Sequence, residues 1–161
     1  MKFIVTDVTG HTNPIPASLV PVTPISTNSS ARERTFVLRN TGGAWMINDR
    51  RWETITEFPV LGTAEIWSFC NQSAFAHPLH VHLVPFQVLD RQPFSNNVVE
   101  FSRTNDILCG PATPNQQPFA NNIVVPTGPR VPPTPGEAGW KDTVLVMPRE
   151  ITRVIARFEG Y

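Results

Sequence analysis

The chain has 161 residues, enough for one domain with a sizeable hydrophobic core. Its apolar fraction of 40% is that of a globular protein. Thirteen Lys and Arg balance thirteen Asp and Glu, which excludes both the basic field of a nucleic-acid binder and an acidic solvating tail.

The N-terminal "MKFIVTDVTG" has too short an apolar run for a signal-peptide core. No segment of the sequence is long and apolar enough to span a membrane, so the sequence reads as a soluble chain of unassigned location. The prolines of "NPIPASLVPVTP" (13–24) then predict an extended lead-in over 1–34. Strands are predicted near 35–40, 44–49, 64–71, 80–90, 142–147 and 152–158. These segments are short, rich in Val, Ile, Phe, Trp and Thr, and lack a sustained 3.6-residue period. Little helix is expected. Eight of the 17 prolines fall between Pro111 and Pro135, which predicts a long irregular loop over 103–138. The whole, 1–161, reads as one antiparallel β-sandwich whose body is 35–161. Cys70 and Cys109 are either disulfide-bonded or two buried thiols, and neither lies beside a histidine.

Three of the four histidines fall within six residues, in "HPLHVHLVPFQVLDR" (77–91). Side chains alternate across a strand, so His80 and His82 share one face and His77 points to the other. Pro78 holds the residue before it in the extended region. The flanking Leu83, Val84, Phe86, Val88 and Leu89 predict a strand buried between layers. A lone histidine in such a place is usually a core residue hydrogen-bonded to backbone. An H-x-H pair preceded by a third His, in a His-poor chain, points instead to metal binding. Imidazole suits zinc, copper, iron and nickel alike. A cupin barrel also uses H-x-H, but it follows the pair with a glutamate, where this chain has Phe86, Gln87 and Val88.

The segment closely resembles the H-P-x-H-x-H motif of multicopper oxidases, the laccase and bilirubin-oxidase family. "RWETITEFPVLG" (51–62), "GTAEIWSFCN" (62–71), "PPTPGEAGWKDTVLVMPRE" (132–150) and "ITRVIARFEGY" (151–161) resemble further stretches of that family. The likeness is greatest to the C-terminal domain of bacterial three-domain enzymes of the spore-coat laccase type. It implies a cupredoxin-like, all-β Greek-key sandwich that lacks its final strand or strands. It also implies copper as cofactor, with His77 as a type 1 ligand, His80 as a type 2 ligand and His82 as a type 3 ligand. In that family, oxidation of phenols, aromatic amines or metal ions at type 1 copper is coupled to reduction of dioxygen to water.

The family's second C-terminal motif, H-C-H-I-x-x-H, is absent from this sequence. The expectation is therefore a C-terminal domain fragment that completes no catalytic centre and is inactive alone. Its expected partners are the remaining oxidase domains, or copies of itself meeting at an open sheet edge. The alternative is a stand-alone, non-catalytic cupredoxin-like module that binds a metal or a partner. Asp142 is a candidate to hold the second ring nitrogen of one histidine, or else to pair with Lys141 or Arg91. The four tryptophans read as packing residues, Arg91 as structural, and His11 has no assigned role.

Overall fold

The computed structural model of the chain describes residues 21–51, 55, 57–95 and 125–160. His11, Trp52, Cys109, most of the lead-in and residues 103–124 of the predicted loop lie outside the described residues. The elements in chain order are β1 (Ser30–Thr41), β2 (Ala44–Ile47), β3 (Ala64–Asn71), β4 (His77–His80), β5 (Phe86–Ser95), β6 (Val125–Pro126), β7 (Trp140–Lys141), β8 (Thr143–Val146) and β9 (Glu150–Arg157). The described residues contain no α-helix, only two three-residue 3-10 turns, Thr27–Ser29 and Pro135–Glu137. Among them, no helix is long and apolar enough to cross a membrane.

Seven strands form one sheet in the order β2-β1-β3-β9-β5-β6, with β7 pairing the other end of β5. β4 and β8 form a separate antiparallel pair. The core lies between the two. Phe36, Leu38, Phe69, Phe86, Val88, Val154 and Ala156 face Val144 and Val146, with Leu79 and Val81 packed alongside. The period-2 alternation of β1 explains this placement: Phe36 and Leu38 point into the core. Val37 points to the opposite face, where it clusters with Cys70, Phe94 and Ile151. β3 and β9 are central and buried on both faces, so their apolar runs are nearly continuous.

The β1–β2 connection is the two-residue turn Gly42–Gly43, with φ of +59° and +83°. Two successive positive φ values make a type I′ turn, whose twist matches the flanking strands. The chain then returns to the far edge of β1, so β3 enters parallel to it. Among the described strands this is the one departure from the antiparallel pairing expected. β2 ends opposite Leu38 while β3 starts opposite Ser30, so β3 begins at the starting end of β1.

The largest correction concerns the predicted strand at 80–90. It is two strands belonging to two sheets. β4 ends at His80, residues 81–85 turn, and β5 starts at Phe86. Leu83 has φ +76°, and the Val84 N–H donates to the His82 carbonyl at 2.9 Å, which closes a γ-turn around Leu83. Pro85 cannot donate to a ladder, which favours a break there. Leu83 is accordingly 74% exposed rather than buried between layers, whereas Phe86 is fully buried.

The predicted loop is also more ordered at 125–138 than proline content suggests. β6 pairs β5, Val131 and Arg91 exchange two 2.8 Å backbone hydrogen bonds, and the turn at 135–137 carries a Thr134/Glu137 capping box.

The split strand has a direct test. Phe86→Ala should cost about 3–5 kcal/mol in chemical denaturation, and Leu83→Ala should stay within about 0.5 kcal/mol of wild type. A single buried strand would make both costly.

Candidate metal-binding site

The β4–β8 register places His77 opposite Val146 and His80 opposite Thr143. The ladder continues one residue further, with the Val81 N–H donating to the Asp142 carbonyl at 3.0 Å. His80 and His82 therefore lie on one side, their ring centroids 4.9 Å apart, and both are exposed. His77 is on the other side and half-buried. Among the described residues no three His, Cys, Asp or Glu side chains converge on one point. The three imidazoles are thus divided, one on one side and two on the other.

The hydrogen-bond partners of His80 select its tautomer. Its Nδ1 lies 2.9 Å from the Asp142 carbonyl oxygen and 3.1 Å from Thr143 Oγ1. A carbonyl only accepts, so Nδ1 carries the proton and Nε2 keeps the lone pair. Metal-ligating imidazoles are held in this way, by a second partner on the nitrogen remote from the metal. Asp142 makes this contact through its main chain. Arg91, the other partner considered for its carboxylate, is committed to Glu137 and Glu150.

His77 has a different environment. Its Nε2 lies 2.7 Å from Ser73 Oγ. The Trp45 ring meets it edge-on, 4.8 Å between centroids at 74°. Burial pulls the His77 imidazole below its ordinary pKa, which favours the neutral form that a metal requires. Beside it opens a cleft of about 550 Å³, walled by Phe36, Leu38, Trp45, Ile47 and Leu79, with Arg39, Arg50 and Arg51 on its rim. Trp45 thus does more than pack: half exposed, it forms the cleft wall against His77. No local sequence signal marks it, because the contact joins β2 to β4. Trp67 packs with the core, and Trp140 is 47% exposed. Cys70 is disulfide-bonded, which removes it as a thiolate ligand.

Arg91 fixes the partner strand. Its guanidinium donates to the Leu145 carbonyl at 2.8 Å and to Thr152 Oγ1 at 3.0 Å, and pairs with Glu150 and Glu137. It joins β5, β8, β9 and the turn leading to β7, and so the segment carrying Asp142 and Thr143. The hydrogen bond from Arg91 holds the Glu137 carboxyl below its ordinary value. A depressed carboxyl stabilises the fold above its unfolded value, about 4.5, and loses that contribution as pH falls through the lower folded value. Glu137→Gln should therefore lower Tm at pH 7, and the gap from wild type should narrow as pH falls below about 4.5. A gap constant with pH would show that the carboxylate charge does not matter.

The sequence matches the family described as multicopper oxidase over residues 16–160. It is 38% identical over 117 residues to a laccase of Bacillus subtilis strain 168, covering 72% of this chain and 19% of that protein. It is 32% identical over 147 residues to a laccase of Bacillus stratosphericus, covering 88% of this chain and 25% of that one. The chain thus spans about a fifth to a quarter of the length of these relatives. In fold it is similar to the McoA multicopper oxidase of Aquifex aeolicus, with a TM-score of 0.57 at 24% identity, over 92% of this chain and 27% of the other.

Proposed function

Because this chain belongs to the multicopper oxidase family, we propose that it is one domain's share of a copper-dependent oxidase. In this reading His77 is a ligand to type 1 copper, and His80 and His82 are ligands to type 2 and type 3 copper. The whole enzyme oxidises phenols, aromatic amines or metal ions and reduces dioxygen to water. The observation that carries the reading is the division of the motif: one half-buried imidazole facing the cleft, and two adjacent exposed ones on the opposite side.

Copper is the cofactor the family implies, and the donor set fits it. Imidazole nitrogens suit copper, and His80 is held so that Nε2 is the atom left to bind. Copper, when bound, supplies one-electron redox chemistry. The protein's own contribution is positional. Thr143 and the Asp142 carbonyl orient the His80 ring, Arg91 holds β8 in register, and a largely apolar cleft flanks His77.

A blue copper site takes two His and a Cys thiolate. The sequence has no H-C-H, and Cys70 is disulfide-bonded. The chain alone is therefore expected to lack four-electron oxidase activity. The remaining ligands then come from partners, either further oxidase domains or another chain, meeting the exposed side that carries His80 and His82.

The purified 161-residue chain, loaded with copper, should not oxidise a phenolic dye above the rate of free copper. Copper(II) titration should show binding that weakens about tenfold or more in His80→Ala and in His82→Ala. Dye turnover by the isolated chain would overturn the inactivity, and unchanged affinity in both variants would remove the ligand roles.

A further inference from the structure

The surroundings of His77 carry more information than its place in the motif. Asn71, at the end of β3, is fully buried. Its amide protons are both used, donating from Nδ2 to the Phe75 carbonyl at 2.7 Å and to the Val146 carbonyl at 3.0 Å. The amide therefore has one orientation, with Oδ1 turned to the 72–75 turn. There it accepts from the Ser73 N–H at 2.9 Å and faces Ser73 Oγ at 2.8 Å.

Ser73 Oγ has four polar neighbours: Asn71 Oδ1 at 2.8 Å, the Phe75 carbonyl at 3.0 Å, the Phe75 N–H at 3.2 Å, and His77 Nε2 at 2.7 Å. A hydroxyl has one proton and two lone pairs. The two carbonyl oxygens can only accept, so one of them takes the hydroxyl proton. Were that proton given to His77 instead, Oγ would lie against two carbonyl oxygens with no hydrogen between them. The Phe75 N–H fills one lone pair. The remaining lone pair accepts from His77, so Nε2 carries the proton and Nδ1 carries the free pair. This is the opposite tautomer to that of His80.

We propose that Ser73, itself oriented by Asn71, is a positioning residue that holds His77 in the Nε2–H tautomer and so presents Nδ1 to a metal. The inference rests on the reading of His77 as a copper ligand. Ser73 acts through the ring and does not touch the metal. Trp45 stands edge-on to the same ring and limits its rotation. The arrangement is local in sequence, "NQSAFAH" (71–77), yet it depends on β8 as well, because Val146 supplies the acceptor that locks the Asn71 amide.

The test uses the full ¹⁵N-labelled chain at pH 8, where neutral imidazole dominates. Two-bond ¹H–¹⁵N correlation spectra read the His77 tautomer directly in wild type, Ser73→Ala and Ser73→Thr. Wild type and Ser73→Thr should show Nε2–H alone, and Ser73→Ala should show both tautomers in exchange. A hydroxyl that merely shaped the turn would leave the His77 tautomer in Ser73→Ala as it is in wild type. An Nδ1–H tautomer in wild type, or an unchanged population in Ser73→Ala, would overturn the proposal, and the wild-type spectrum decides even where a variant fails to fold. A second arm titrates copper(II) and follows paramagnetic broadening of the His77 ring. Ser73→Ala should need about 10–100-fold more copper for the same broadening, and equal broadening would remove the positioning role. Absence of His77 broadening in wild type would sink the ligand reading and leave the tautomer result standing, so the two failures are distinguishable.

Discussion

The Asn71 side chain sits where the large sheet ends and the chain crosses to the small one. Its amide spans three segments: the end of β3, the 72–75 turn and the last residue of β8. Its own carbonyl accepts from the Arg149 N–H at 2.8 Å, which adds the entry to β9. A buried polar group left without partners costs about 1–3 kcal/mol. Four such groups meet at this residue, so the turn has essentially one arrangement that satisfies them all. That arrangement sets where β4 begins, and the register of β4 on β8 then follows. His77 falls on the cleft side and His80 opposite Thr143 because Asn71 leaves the chain no other economical path.

Three ionic clusters keep the rest of the frame in register. Arg34 grips Glu65 through two hydrogen bonds of 2.5 and 2.9 Å, pairs with Glu57, and shares Glu65 with the Trp67 indole. Arg153 joins Asp90 at 2.6 Å and Gln92 at 2.8 Å across β9 and β5, beside the bulge between Val88 and Asp90. Arg91 ties β5 to β8 and β9. Buried pairs of this kind contribute little net stability against a well-packed apolar alternative, but breaking one leaves an uncompensated charge. Their role is to penalise wrong registers. The frame is thus held in register where it presents the histidines: His77 and His80 are the two ends of β4, and His82 lies in the turn that follows.

Much of this was readable in the chain. β3 was expected at 64–71, the bounds the structure has, because "AEIWSFCN" is short, carries Ile, Trp and Phe, lacks a helical period and follows Gly62. The last strand, at 150–157, lies close to the predicted 152–158 for a similar reason. The alternation that separated His77 from His80 and His82 also held, since the ladder continues through Val81. The break at 81–85 was missed. "HVHLVPFQVLD" has the composition of one strand, and nothing local marks the point where it leaves one sheet for another. The γ-turn at Leu83 is tolerated because the strands on both sides are pinned. Asn71 and Glu65 stood inside a quoted motif, but the sequence did not show what they bind. Trp45 was read only as packing, Thr143 stood unremarked inside a quoted motif, and Ser73 carried no signal; the roles of Trp45 and Thr143 come from partners on another element.

The sequence alone determined the class of fold and the division of His77 from His80 and His82 between two sides of the chain. Those properties follow from side-chain chemistry and the period of the backbone, which are local. Only the tertiary structure decided which nitrogen each imidazole presents. That choice is made by the acceptors around the other nitrogen. For His80 these are the Asp142 carbonyl and Thr143, 62 and 63 residues away. For His77 it is a serine four residues away, whose proton is directed by an amide locked from β8. A tautomer is set by hydrogen bonds across space, and spacing along a chain does not encode them.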